Sequence, residues 1–175
     1  VEPGDAYRSF SRGRGWQVVG DLDELRKDYS ATFDLITMAH VLEHLPDPVR
    51  YLRMLREEWL SPGGHLLIEV PNLYGHTALE LAHLTAYSAT TMQRILHRAG
   101  YQIRALEAHG RPRSRLIPLY LTTLARASSE QVPSVRFRTS RRGILARRKL
   151  GMFWNRLMTR LFPGWAWLPW PELND

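Results

Sequence analysis

The sequence predicts an α/β fold carrying a basic helical tail, and three observations predict it. Short apolar runs of strand length alternate with amphipathic stretches of helical period, the pattern of a mainly parallel sheet with helices on its faces. Turn residues separate these runs, at Ser61-Pro62-Gly63-Gly64, at Gly100 and at Gly110-Arg111-Pro112. Charge is also divided along the chain. Val1 to Glu130 holds 15 basic and 15 acidic residues, whereas the last 45 residues hold nine basic ones against Glu172 and Asp175. The net charge of +7 therefore belongs to the tail and not to the body.

The elements follow in order. Gln17-Val18-Val19-Gly20 reads as a short strand, and Asp21 to Leu25 turns out of it. Phe33 to Ala39 is a mostly apolar run of strand length, patterned as a strand buried on both faces. Asp47-Pro48 opens a helix as N-cap and first helical residue, with Val49, Leu52, Leu55 and Trp59 at helical spacing. Ser61 to Gly64 ends that helix, and His65 to Val70 forms the next strand, closed by Pro71-Asn72. Ser88 caps a second helix through Arg98, whose inner face carries Met92, Ile95, Leu96 and Ala99. Gly100 stands where a helix C-terminus requires positive φ. Tyr101 to Leu106 and Leu116 to Leu124 form two further strands with a short connection, an antiparallel pair. The segment ASSEQVP at 127–133 has linker composition. This divides the chain into a body at 1–127, a linker at 128–140 and a basic, tryptophan-rich tail at 141–175.

Composition excludes several classes. With 44% apolar and 23% charged residues, the chain is neither disordered nor fibrous. It has no cysteine, so there is no disulfide scaffold, thiolate metal site or cysteine nucleophile. That absence fits the cytoplasm. No apolar run approaches the ~20 residues that a membrane-spanning helix needs. The chain opens on Val1 with no signal-peptide pattern, which leads to the expectation that it is the C-terminal part of a longer protein.

Three linked motifs carry a resemblance: FDLITMAHVLEHLPDP at 33–48, LSPGGHLLIEVPN at 60–72 and YSATTMQRILHRAGY at 87–101. In this order and spacing they resemble the second half of a class I S-adenosylmethionine-dependent methyltransferase of the small-molecule subgroup, over roughly Val1 to Ala127. The resemblance implies a Rossmann-like sheet of strand order 3-2-1-4-5-7-6, here incomplete at its N-terminus. It implies S-adenosylmethionine as cofactor and a small-molecule acceptor, such as a sugar, quinone or lipid precursor. The family's Gly-rich loop around the methionine moiety has no counterpart in these residues. The 175 residues alone are thus expected to bind the cofactor poorly, and a non-catalytic protein of methyltransferase fold, acting through its tail, is the alternative.

Residue by residue, Glu2 matches the family's acid that accepts from both ribose hydroxyls; it could also be an ordinary terminal acid. Asp21 and Leu22 match the acid and apolar residue set against the adenine. Asp23 is the alternative one register away, and Asp21 could equally cap the following turn. His40, at the end of the central strand, matches a position beside the sulfonium and amino-acid part of the cofactor. His40, Glu43 and His44 recur at i, i+3 and i+4. Some related methyltransferases carry an acid-x-x-Glu-His metal motif, but His40 replaces its acid, and no metal is assigned. His44 is a candidate general base; no catalytic residue is selected, because a carbon acid or amine acceptor requires no base. The acceptor pocket is expected near Asn72, Tyr74 and the stretch from Gly75 to Tyr87.

In the tail, Leu150, Phe153, Trp154, Leu157, Met158 and Leu161 form an apolar helical stripe, with Arg148, Asn155, Arg156, Thr159 and Arg160 largely on other faces. Trp165, Trp167 and Trp170 follow. Three readings remain open: the stripe docks on the body or on a second copy in a homodimer, it contacts the inner face of a membrane peripherally, or it binds nucleic acid. The neutral body lacks the basic groove of a nucleic-acid enzyme.

Overall fold

The structure is a computed structural model that describes residues 1–28, 33–78, 80–128 and 140–169. Most of the expected linker and Trp170 lie outside the described residues. The chain divides into two compact units, Val1–Thr32 and Phe33–Asp175.

The first unit holds helices α1 (Asp5–Gly13) and α2 (Leu22–Asp28). The start of α2 is built by side chains. Asp21 Oδ1 accepts from the Glu24 N–H at 2.7 Å, and Glu24 Oε2 accepts from the Gly20 N–H at 2.6 Å, a reciprocal arrangement close to a capping box. Gln17 to Gly20 does not form the expected strand. Val19 O accepts from the Glu2 N–H, a strand-like bond, but Val18 O is taken by the Arg12 guanidinium, and the segment does not extend into a ladder among the described residues.

The second unit is a four-stranded mixed sheet of order β1-β2-β4-β3, made of β1 (Phe33–Ala39), β2 (Leu60–Pro71), β3 (Tyr101–His109) and β4 (Tyr120–Ala127). β1 and β2 are parallel, while β4 runs antiparallel to both β2 and β3. This is the 4-5-7-6 portion of the expected order. It makes the parallel share one pairing of three, since β4 inserts between β2 and β3. Between β1 and β2 lie α3 (Pro48–Met54) and a π-helical turn over Leu55–Trp59. Between β2 and β3 lies α4 (Ala89–Arg98). Asp47 caps α3 through the Arg50 N–H and Ser88 caps α4 through the Thr91 N–H. Gly100 takes φ +85 at the end of α4, the left-handed conformation the sequence called for.

Along β2, Leu66, Ile68 and Val70 are fully buried at period two, together with Leu52, Met92, Leu96 and Tyr101 from the other elements. The period marks one covered face. β1 departs from expectation: only Met38 is buried, and Leu35 is half exposed. β1 is an edge of this sheet, so its apolar run finds a ladder partner on one side only.

The tail forms α5 (Arg141–Leu161), capped by Ser140, and a single turn α6 (Pro163–Ala166). Met158 and Ala166 join Ile117 and Leu119 in a small second core. At its closest approach Gly151 faces the Tyr74 carbonyl with no space for a Cβ. No helix among the described residues is long and apolar enough to cross a membrane.

Candidate functional site

A cavity of about 350 Å³ opens at the C-terminal end of β1 and β2. Open α/β sheets place ligands outside the carboxyl ends of their strands. The strand ends supply His40, Pro71 and Asn72. The turn of 3₁₀ helix at Leu42–His44 supplies Glu43 and His44, the stretch after Asn72 supplies His76, His83 and Tyr87, and β4 supplies Tyr120. Four of the seven histidines of the chain line this space, and no Lys or Arg does so among the described residues.

His40 is the pivot. Its φ of +54 is the only positive value outside glycine among the described residues, a conformation that costs about 1–2 kcal/mol for an ordinary side chain. Strain of this kind persists only where the surroundings fix it. The His40 N–H donates to Glu69 O at 2.9 Å, continuing the β1–β2 ladder one residue past the strand. The imidazole then lies between two carboxylates, with Nδ1 3.4 Å from Glu43 Oε1 and Nε2 3.5 Å from Glu69 Oε1. Tyr120 meets its ring edge-on at 5.4 Å. Glu69 is held in turn by Thr122 Oγ1 at 2.9 Å and by His109 Nε2 at 3.4 Å.

Glu43 is 1% exposed, and neither of its carboxylate oxygens has a hydrogen-bond partner among the described residues. Burying a carboxylate without hydrogen-bond donors is costly. Its neighbours are imidazoles: His40 at 3.4 Å and His44 Nε2 at 3.9 Å. The Glu43 backbone is well anchored, because its carbonyl accepts from Leu84 N–H and Thr85 N–H. His44 has its tautomer set by the same segment. Nδ1 lies 3.0 Å from Ala82 O, a partner that can only accept, so Nδ1 carries a proton and Nε2 is the ring nitrogen turned toward Glu43. Glu43, His44 and His83 each present one ligand atom within 4.8 Å of the others, a separation that could hold a divalent ion.

His76 completes the wall, its Nε2 donating to Leu119 O at 2.9 Å. Burial holds its pKa below the ordinary histidine value, against the opposing pull of that hydrogen bond. Tyr87 is driven the other way: burial, and secondarily the Glu43 carboxylate, raise its phenol far above the usual range. It stays protonated, donating to Leu42 O.

Of the residues expected from sequence, His40, Glu43, His44 and Asn72 gather here. Asn72 is 4% exposed and occupied structurally, donating to Pro118 O at 2.8 Å and accepting from the Tyr74 N–H at 3.1 Å. Tyr74 does not line the cavity; it lies under α5. Glu2, Asp21 and Leu22 belong to the first unit. Glu2 Oε1 accepts from the Gly4 N–H at 2.8 Å, and Asp21 performs the capping role that the sequence allowed. His76, His83 and Tyr87 fall in the Gly75-to-Tyr87 stretch where the acceptor pocket was expected, though not singled out, and sequence reasoning missed Glu69, His109 and Tyr120. The one available signal was the concentration of histidine around the motifs, with no spacing rule to connect them.

A family model described as a methyltransferase domain matches residues 5–106. A Streptomyces protein described as a salicylyl-CoA synthase / salicylate adenylyltransferase is 31% identical over 142 residues, which cover 77% of this chain and 26% of that protein. The chain thus spans about a quarter of the length of that curated relative. Among solved structures, an S-adenosylmethionine-dependent methyltransferase from Mesorhizobium loti is 20% identical, with a TM-score of 0.42 over 54% of this chain and 62% of that one. The 1,6-didemethyltoxoflavin-N1-methyltransferase of Burkholderia thailandensis, solved with 1,6-didemethyltoxoflavin and S-adenosylhomocysteine, is 22% identical, with a TM-score of 0.46 over 58% of this chain and 47% of that one.

Proposed function

The chain belongs to the methyltransferase domain family, and from that premise we propose that it takes part in S-adenosylmethionine-dependent methyl transfer to a small, uncharged, hydroxyl-bearing acceptor. The observation that carries this reading is the cavity at the strand ends, where a strained His40 and a buried Glu43, whose carboxylate has no hydrogen-bond donor among the described residues, face the Nε2 edge of His44. A sugar, quinone or lipid precursor fits a wall of imidazoles and phenols that has no Lys or Arg among the described residues to hold an anion.

The donor set suits the cofactor chemically. Glu2 has one carboxylate oxygen engaged by the Gly4 N–H and another left to accept from ribose hydroxyls. Asp21 keeps an oxygen beyond its capping bond for the adenine amine, next to the apolar Leu22. When bound, S-adenosylmethionine supplies a methyl group already activated for in-line displacement.

The protein then has two tasks. One is to align the acceptor, and positioning of this kind is worth ~7–11 kcal/mol. The other is to take the hydroxyl proton as it is lost. His44 Nε2 accepts that proton, while Nδ1–H remains fixed on Ala82 O. The imidazolium so formed sits 3.9 Å from the Glu43 carboxylate, which stabilises it.

Calorimetric titration of S-adenosylmethionine into the protein at its native length tests the reading. Micromolar binding, weakened at least about tenfold by Glu2→Ala, is the expected result. In turnover, His44→Gln should lower kcat by about 10²–10⁴ with little change in cofactor affinity. No binding up to millimolar cofactor would sink the proposal.

A further inference from the structure

Helix α5 docks with an unexpected face. Its stripe of large apolar residues was the natural candidate to pack on the body, yet the stripe is split: Met158 and Leu157 pack on the small second core, whereas Leu150, Phe153 and Leu161 point away. The docked row is Arg148, Gly151, Asn155 and Met158. Arg148 Nη1 donates to Leu73 O at 2.6 Å, and Asn155, buried to 4%, donates Nδ2 to Gly75 O at 2.7 Å. Opposite it, Leu150, Phe153 and Leu161 recur at i, i+3 and i+11 and are 68%, 60% and 56% exposed. Phe162, which precedes α6, and Trp165 within it are also exposed, at 53% and 59%. A third row, Lys149, Arg156 and Arg160, runs alongside and is also exposed. α5 carries seven basic residues and no acidic one.

We propose that this outward face of α5 and α6 is a docking surface for an anionic lipid bilayer. The charge pattern selects the occupant. Leu150, Phe153, Leu161, Phe162 and Trp165 provide the apolar wedge that enters the headgroup–acyl boundary. Lys149, Arg156 and Arg160 lie beside it at the level of anionic headgroups, with their aliphatic stems along the apolar surface. A second copy presents the same positive rows, so an isologous pairing brings like charges together. A nucleic acid matches the arginines but leaves the aliphatic row facing phosphates. Trp154 and Trp167 are held back toward the protein, donating to Leu116 O and Thr159 Oγ1 at 2.9 Å each, which keeps α5 and α6 a preformed surface. The same helix is bonded to Leu73 and Gly75, in the chain that walls the cavity, and so ties cavity and bilayer together.

Flotation of the full chain with phosphatidylcholine vesicles, with and without phosphatidylglycerol, tests this without reference to methyl transfer. Binding to the anionic vesicles should exceed binding to neutral ones by at least about tenfold and weaken as salt rises. The double variant Phe153→Ser/Leu161→Ser should reduce it by a further tenfold or more, roughly. Both side chains are more than half exposed, so the unfolding midpoint should hold, and circular dichroism checks it. Equal binding to neutral and anionic vesicles, or none to either, overturns the proposal. So does a dimer in sedimentation equilibrium that the double variant abolishes, and so does RNA binding that is indifferent to Phe153→Ser/Leu161→Ser and accompanied by no lipid binding.

Discussion

Replacing Gly151 by alanine tests whether α5 is fastened where the structure places it. A Cβ at this position overlaps the Tyr74 carbonyl oxygen and stands 3.0 Å from its carbonyl carbon and 3.3 Å from its Cα. These are backbone atoms, so no rotamer change relieves the overlap. The helix has to lift, and as it lifts, the bonds from Arg148 to Leu73, Asn155 to Gly75 and Trp154 to Leu116 stretch together. Overpacking of this kind costs about 1–3 kcal/mol. Alanine also gains about 1 kcal/mol over glycine in a helix interior, and the two effects oppose each other.

A second substitution separates them. Nothing lies within 4 Å of a Cβ added to Gly164, so Gly164→Ala collects the backbone benefit, about 0.4–1 kcal/mol, without the clash. The difference between the two variants isolates the overlap, and Gly151→Ala should be less stable than Gly164→Ala by about 1–3 kcal/mol. Urea unfolding followed by tryptophan fluorescence reads this difference, since Trp154 sits on α5 itself. Equal stabilities, or a more stable Gly151→Ala, would refute the packing of α5 and with it the outward direction of the apolar row.

Two further expectations concern the cavity. Glu43→Gln removes a buried charge that lacks hydrogen-bond donors, so the variant should gain about 1–3 kcal/mol in urea unfolding while losing methyl transfer; a loss of stability would show that the imidazoles already compensate the carboxylate. His76 gives a pH dependence whose sign follows from its lowered pKa. Below about pH 6.5 the unfolded chain takes a proton at this residue that the native protein refuses, so stability is fully present above that value and falls as the pH drops below it. In His76→Gln the loss of stability between about pH 7.5 and about pH 5.5 should be smaller than in the parent, and identical losses would dismiss burial of His76 as its source.

Much of the second unit was legible because local rules dictate it. Asp47-Pro48 and Ser88 cap their helices as their side chains require, and Gly100 ends α4 in the left-handed region open to glycine. The run from Phe33 to Ala39 forms its strand with the expected bounds, though not with the expected burial. Burial depends on which elements cover a strand, and β1 lies at an edge. Gln17 to Gly20 failed as a strand for a related reason: a strand exists only through a run of ladder bonds, and beside the backbone bond from Glu2 to Val19 the Arg12 side chain takes Val18 O.

The candidate site divides in the same way. Its seed, Glu43 and His44, is sequence-local, two neighbours on one turn of 3₁₀ helix, and His40 joins them in a left-handed conformation that its ladder bond to Glu69 O helps to fix. His76, His83 and Tyr120 come from the stretch after Asn72 and from β4 and line the cavity, while Glu69 of β2 and His109 of β3 stand behind His40, and the β1-β2-β4-β3 order brings them together. The tail shows the division most plainly. Sequence by itself determined a basic amphipathic helix over Arg141–Leu161, since period and composition are properties of the segment alone. Which side of that helix meets the body was decided by the Tyr74 and Gly75 carbonyls. They needed a glycine for close approach and an amide to donate, and hydrophobicity summed along a helix does not record where another segment leaves its backbone acceptors open.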